Sequence, residues 1–443
     1  MTLGLIQSWR HEGIPIRAFK KGPDFIDPAW LKLATGHPAR NLDTWMMDAE
    51  KVTRSFTFHA IHDGINVMEA NRGLHDGEDS RGTHSSAEMA KLLKCPVILV
   101  LPAIKVTRTL AAIALGMKMF DSDVNIAGVI VNQLATKRQR AVIERAIEDE
   151  TGIPVLGMLP RLRNDPLPGR HLGLVTPEEH HAAKSALETA GRLVGENSDL
   201  VRLKEVAYNV EVLKGSSTDV TPDITIRSGE FLRIGYFKGS AFTFYYPENL
   251  EALEKSGAKL IEVDPFESPE LPDLDALYIG GGFPETHAVG LTENVTFRLS
   301  VKKAADDGLP IYAECGGLMF LSKALITADG EFEMAGVFKE KIEIKRKPQG
   351  HGYQKVFVDH DNPFYPEGTV IRGHEFHYSR LVDEPSEETA FRVERGTGLG
   401  AHRDGLIYNN VLASYLHVHA IATPEWAEGI VNAAKEYQKH RNE

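Results

Sequence analysis

Short apolar runs rich in Val and Ile recur along the chain, each followed by a polar or Gly/Pro loop and an amphipathic stretch. This alternation restricts the fold more than any other feature. Runs this brief read as strands buried on both faces, and the helix-length segments between them are the connections parallel strands need. Residues 15–19, 65–69, 96–101, 126–132 and 154–159 form one series. Residues 232–237, 259–263, 276–279 and 310–313 form a second, followed by a β-rich stretch to residue 380. A helical stretch over 177–209 and a Gly/Ser/Thr/Pro-containing linker at 215–223 separate the two series. The 443 residues exceed the ~250–300 at which one core stops growing. Two α/β domains are therefore expected, over 1–185 and 231–443, joined by a helical connector and linker over 186–230.

Fifty Lys+Arg against sixty-two Asp+Glu give a formal charge of −12, which argues against a nucleic-acid or anionic-membrane binder, since both need a cationic footprint. Two cysteines, Cys95 and Cys315, make no disulfide framework and carry no zinc spacing. No apolar run approaches a membrane span, the N-terminus lacks the basic-then-apolar form of a signal peptide, and cytoplasm is the expected compartment.

The strongest chemical signal is Leu309-Pro-Ile-Tyr-Ala-Glu-Cys-Gly-Gly-Leu-Met. An apolar strand stops at Glu314, Cys315 follows, and Gly316 and Gly317 precede an apolar helix-like run. Such a strand-to-helix turn exposes a nucleophile beside helix N-terminal N–H groups, which favour a thiolate and can hold an oxyanion. The two glycines are expected to supply the permissive backbone. Ser414-Tyr-Leu-His-Val-His reads as an apolar strand with His417 and His419 on one face, and His417 is the expected base. Gly280-Gly-Gly-Phe-Pro-Glu follows another strand, so Gly281 and Gly282 join Gly316 as candidate oxyanion or substrate contacts.

These stretches, with Gly373-His-Glu-Phe-His-Tyr-Ser, resemble the class I glutamine amidotransferase domain in the form found in cobyrinate and cobyrate synthases. The resemblance implies a flavodoxin-like α/β domain in which Cys315 forms a glutamyl thioester, His417 raises its nucleophilicity and ammonia is released. The acid that completes the triad in other class I members is not evident after His417.

In the first half, Lys20-Lys-Gly-Pro-Asp-Phe-Ile-Asp-Pro places Lys20 and Lys21 at a strand end, with Asp24 and Asp27 in a Gly/Pro-constrained loop rather than on a helix. Glu69 ends another strand and Asp76 lies in the loop after it. Carboxylates at strand ends beside lysines suit a Mg²⁺-nucleotide site, which wants hard oxygen ligands and a cation for phosphate. The Gly-x-x-x-x-Gly-Lys-[Ser/Thr] loop of such sites is not found. Thr2-Leu-Gly-Leu-Ile-Gln-Ser-Trp-Arg instead looks like the helix that follows it.

With that loop supplied, residues 1–180 resemble the P-loop NTPase-like synthetase domain of cobyrinate a,c-diamide synthases, relatives of dethiobiotin synthetase. The matching stretches are Lys-Lys-Gly-Pro-Asp-Phe-Ile-Asp-Pro, Arg40-Asn-Leu-Asp-Thr-Trp-Met-Met, Val129-Ile-Val-Asn and Arg170-His-Leu-Gly-Leu. The resemblance implies that Lys20, Lys21, Asp24, Asp27, Glu69 and Asp76 serve Mg²⁺-ATP and an activated carboxylate, with Asp24 and Glu69 on the metal and Asn132 at the nucleotide base. Glu69-Ala-Asn-Arg-Gly-Leu-His-Asp-Gly departs from the common pattern at Arg72 and looks more like the siroheme amidases. An arginine there suits a propionate or acetate arm.

The expected activity is ATP- and glutamine-dependent amidation of a modified tetrapyrrole, siroheme or a sirohydrochlorin derivative ahead of cobyrinate, with a homodimer left open. The rivals are a tetrapyrrole-binding scaffold with a vestigial ATPase domain and a glutaminase uncoupled from ligation.

Overall fold

The structure, a computed structural model, describes residues 1–162, 166–169, 173–211, 213 and 231–442. Arg170, His171 and Leu172 of one matching stretch, and the linker at 215–223, lie outside the described residues. Contacts divide the chain into two compact units, 1–220 and 221–443.

The first unit carries β1 (Ile16–Lys21), β2 (Arg40–Leu42), β3 (Ile65–Glu69), β4 (Val97–Pro102), β5 (Ile126–Leu134) and β6 (Val155–Pro160). They form two three-stranded parallel sheets, ordered β2-β1-β3 and β4-β5-β6. Each strand expected from the apolar runs is present to within two residues. The three-residue β2 was too short to show in the sequence.

Val129, Ile130 and Val131 at the centre of β5 are fully buried, as a strand covered on both faces requires. The helix Lys137–Thr151 lays Ile143 and Ile147, one turn apart, onto this core. Thr136 caps its start by accepting the Gln139 N–H, and Gly152 at φ 67° ends it in the left-handed conformation.

The helix Ala183–Asn197, which falls mostly in the segment read as a connector, packs within this unit on the N-terminal helix Thr2–His11. Ser8 Oγ donates to the Gly191 carbonyl at 2.9 Å. A Cβ on Gly4 would lie 2.4 Å from Val194 Cγ2, so the close approach needs glycine.

The second unit contains β7 (Leu232–Phe237), β8 (Ala258–Val263), β9 (Ala276–Ile279), β10 (Ile311–Glu314), β11 (Ala324–Thr327), β12 (Gly330–Glu333), β13 (Lys341–Ile344), β14 (Gly350–Val358), β15 (Val370–His377), β16 (Ser379–Leu381), β17 (Thr389–Arg395), β18 (Arg403–Tyr408) and β19 (Val411–Ser414). A nine-stranded sheet runs β15-β14-β17-β18-β19-β10-β9-β7-β8, and a smaller one runs β12-β11-β13-β16. From β8 to β19 the large sheet is parallel, and beyond β19 it is antiparallel.

Successive residues of β10 serve opposite cores. Ile311 packs with Phe237, Phe297 and Phe320, whereas Tyr312 packs with Tyr278, Leu412 and Trp426. Such two-sided burial leaves the strand ends as the places where polar chemistry can reach solvent. Among the described residues no helix is long and apolar enough to cross a membrane.

Candidate active site

The register of three neighbouring strands assembles the second unit's site. Ala313 on β10 pairs with Ile279 on β9 and with Ala413 on β19, and Glu314 pairs with Ser414. Because these strands are parallel, the segments leaving them emerge side by side. They carry Gly280–Gly282, Cys315–Gly317 and the path to His417.

Cys315 itself takes the strained turn, at φ 47° and ψ −95°. That conformation costs a non-glycine residue about 1–3 kcal/mol. It is held by the Cys315 N–H donating to the Ser414 carbonyl at 2.7 Å and by the Met319 N–H donating to the Cys315 carbonyl at 3.0 Å.

The glycines that follow have a different purpose from the one read in the sequence, since neither has positive φ. A Cβ on Gly316 would sit 2.9 Å from Gly282 N, and one on Gly317 would sit 2.5 Å from the Ile279 carbonyl oxygen. They permit close packing of β9 and β10 loops rather than an unusual dihedral.

A Cβ on Gly281 would lie 2.6 Å from His417 Cε1 and 3.4 Å from Nε2. Gly281 and Gly282 therefore stand between the imidazole and the Cys315 turn. The cysteine is 5% exposed. Burial, reinforced by the charges of Glu285 and Glu314, pushes its thiol well above the ordinary value, against a Gly316 N–H that favours the thiolate.

His417 does not lie on a strand with His419. β19 ends at Ser414, and His417 makes an isolated antiparallel bridge to His374 on β15. Its backbone N–H donates to the His374 carbonyl at 2.8 Å. His417 Nδ1 lies 3.3 Å from Glu314 Oε2.

The His374 ring stacks on that of His417 at 4.8 Å. Burial, with His417 and His419 nearby, holds His374 well below the usual histidine range and hence neutral. His419 turns elsewhere. Its Nδ1 accepts the Ile421 N–H at 3.2 Å, its Nε2 lies 3.6 Å from fully buried Glu248, and its ring rests on Tyr246.

The Gly373-His-Glu-Phe-His-Tyr-Ser stretch is largely a brace. Glu375 accepts the N–H groups of Thr397 and Gly398, and His377 lies flat on Tyr415 at 3.6 Å.

In the first unit, Lys20 is buried at the end of β1, opposite Glu69 on β3 in the sheet register. Its ammonium lies 3.4 Å from Glu69, 3.7 Å from Asp24 and in contact with Asp27. Burial opposes the Lys20 charge, but Glu69, Asp27 and Asp24 outweigh it and raise the pKa. Asp24 is pushed up to about 7 by burial and by Asp27.

Asp27 is not in a loop. Asp24 Oδ1 accepts the N–H groups of Ile26 and Asp27 at 2.8 and 3.1 Å, which starts the helix Ile26–Thr35 with Asp27 in its first turn. Asn41 donates to the carbonyls of Gly22 and Asp24, and buried Asp43 accepts from Trp45 and Met46. This assigns a supporting role to the Arg40-Asn-Leu-Asp-Thr-Trp stretch. Lys21 is buried, and burial lowers its pKa, with Arg72 and Lys20 adding to the effect and Asp43 opposing it.

Asp76 and Asn132 are not among the groups paired with Lys20. Asp76 is exposed and accepts the Gly73 N–H within its own turn. Asn132 lies near the end of β5, in the other sheet, and accepts the Gln133 N–H. Arg72 is exposed at φ 59°. Among the described residues no group of three or more His, Cys, Asp or Glu side chains is arranged to hold a metal by itself. Glu314 is the residue that sequence reasoning passed over. It was visible beside Cys315, but nothing local linked it to His417.

Comparison with known proteins agrees with both halves. Residues 233–424 match the CobB/CobQ-like glutamine amidotransferase domain, and residues 38–164 match an AAA domain. Over the whole length the chain is similar to the cobyrinate a,c-diamide synthase of Magnetococcus marinus, at 40% identity covering 96% of this chain and 92% of that one. Those of Archaeoglobus fulgidus and Methanothermobacter thermautotrophicus are each 37% identical, covering 98% and 96% of this chain and 94% of each relative.

Proposed function

The chain belongs to the cobyrinate a,c-diamide synthase family of amidoligases, and from that premise we propose that it amidates peripheral carboxylates of a modified tetrapyrrole with nitrogen from glutamine. The observation that carries the reading is the convergence of Cys315, His417 and the Gly281–Gly282 backbone at the ends of three adjacent parallel strands.

Cys315 Sγ attacks the glutamine carboxamide carbon while His417 takes the thiol proton. N–H groups around Gly281, Gly282 and Gly316 receive the developing oxyanion. On collapse His417 returns the proton to the departing amino nitrogen, which leaves as neutral ammonia, and the glutamyl thioester that remains is hydrolysed by water. A thiol this resistant to ionisation favours proton transfer together with attack over a standing thiolate.

The first unit supplies the other half of the reaction. A free carboxylate is a poor electrophile, so ATP's γ-phosphoryl passes to it, giving an acyl phosphate and ADP. Ammonia then adds to the carbonyl, phosphate departs and an amide remains. Ammonia must arrive unprotonated to act as the nucleophile. Lys20 and Lys21 suit phosphate oxygens. The donor set fits Mg²⁺ in kind, since one or two carboxylates with phosphate oxygens and water are its usual complement. Asp24 and Glu69 would hold the ion, which when bound spreads the negative charge of the phosphates.

The names of the relatives favour cobyrinate as the acceptor. Arg72 supports a second reading, siroheme or a sirohydrochlorin derivative, because an exposed guanidinium beside Lys21 suits an acetate or propionate arm. The test offers cobyrinate and siroheme separately with ATP, Mg²⁺ and glutamine and reads the product by mass. One or two exchanges of hydroxyl for amine on either acceptor support the reading. Glutamine hydrolysis indifferent to ATP and tetrapyrrole favours an uncoupled glutaminase, and no turnover of either favours a scaffold.

A further inference from the structure

The acid missing after His417 can be supplied from the other side of the site. Glu314, the residue immediately before the nucleophile, is 1% exposed. Its Oε2 lies 3.3 Å from His417 Nδ1 and accepts the Tyr278 hydroxyl at 3.2 Å, while its Oε1 accepts the Val418 N–H at 3.3 Å. Val418 adjoins His417, so one carboxylate grips both the imidazole and the backbone that carries it. Where a downstream acid would stand, His419 instead faces Glu248.

We propose that Glu314 is the positioning residue of a Cys315–His417–Glu314 triad, in which nucleophile and acid are consecutive in sequence and the base comes from 102 residues beyond the nucleophile. This rests on the glutamine-dependent reading above.

A carboxylate accepts only, so its contact with Nδ1 fixes the imidazole proton there. That leaves Nε2, the nitrogen on the Gly281 side, to take the thiol proton. Once His417 becomes an imidazolium, Glu314 stabilises it at direct contact. The same charge disfavours an isolated thiolate at Cys315, so Glu314 favours transfer during attack.

The other ionisable groups around the pair do not offer this service. His374 is held neutral against the ring face, Glu285 acts on the sulfur, and Asp404, pushed up to about 6, is engaged by Gln354, Gly405 and Tyr415. Glu248 is taken up with His419.

The test compares intact protein with Glu314→Gln in three assays: glutamine-dependent amidation, ammonium-dependent amidation and glutamine hydrolysis across pH. For Glu314→Gln the glutaminase kcat should fall about 10²-fold or more, the range of positioned acid–base catalysis. KM for glutamine and ammonium-dependent amidation should stay near the intact values. The acidic limb of kcat/KM should move down by about one pH unit, because a neutral amide no longer favours the imidazolium. Unchanged kcat and an unmoved limb would overturn the proposal while leaving the amidoligase reading intact. An intact protein that makes no amide from glutamine would sink that reading itself.

Should the variant fail to fold, ¹⁵N NMR of histidine-labelled intact protein decides. A His417 proton on Nδ1 supports the assignment, and one on Nε2 overturns it.

Discussion

The Cys315 site and the Lys20 cluster share one construction principle, each gathering side chains at the ends of adjacent parallel strands, yet they store charge in opposite ways. Around Cys315 standing charge is disfavoured: burial holds the thiol protonated and keeps His374 neutral, while His417 Nδ1 lies 3.3 Å from Glu314 Oε2. Around Lys20 a buried ammonium and three carboxylates meet at contact distance. The first arrangement is poised to create charge during reaction. The second sets one ammonium against three acidic groups, an excess that, with burial, pushes Asp24 up to about 7. Acyl transfer needs one proton to move, whereas phosphoryl transfer needs a large standing charge to be matched.

Cys315→Ser gives the largest expected effect and the sharpest split between the two regions. Glutamine-dependent amidation should fall by about 10³-fold or more, while amidation driven by ammonium chloride persists. Loss of both in a folded variant would show that the two sites are not separable.

Gly281→Ala comes next, since the added methyl would lie 2.6 Å from His417 Cε1. Displacing the base by even about 1 Å should reduce glutaminase turnover by about 10²-fold. ATP-dependent steps should be spared. Normal glutamine hydrolysis in this variant would show that His417 is not where the reaction needs it.

Lys20→Met tests the opposite region. Asp24, Asp27 and Glu69 would face one another without their shared cation, and the first unit should lose about 3 kcal/mol against urea, the lower end for broken buried pairs because the carboxylates are partly exposed. Glutaminase activity should survive.

The smallest effect concerns pH. Burial raises Asp404 from 3.8 to about 6, so its folded form binds a proton more tightly than the unfolded chain does. That contribution to stability is complete below about pH 3.8 and is lost as pH rises through about 6. In urea titrations the stability advantage of the intact protein over Asp404→Asn should therefore shrink between those values. An advantage that grows instead would reverse the assignment.

Much of the architecture was legible because it is local. A strand such as 126–132 declares itself by consecutive β-branched residues, and Glu-Cys-Gly-Gly after an apolar run leaves few alternatives to a sharp turn. The parts that escaped were relations between distant segments or competing local forces. Asp27 was read as loop because the Gly/Pro context outweighed the chance that Asp24 would satisfy the first helical N–H groups. His417 and His419 alternate as strand residues do, but the chain leaves the sheet at Ser414 and His419 finds Glu248.

By itself the sequence determined the parallel α/β construction, the turn that carries the thiol and the residue types available to it, because strand length, apolar run and adjacent glycines act within a few residues. Only the tertiary structure decided that Lys20 would meet Glu69 and that Glu314 would stand behind His417. Those meetings depend on which strands are neighbours and in what register, and burial of whole sheet faces selects that arrangement, leaving no trace in the spacing of the residues brought together.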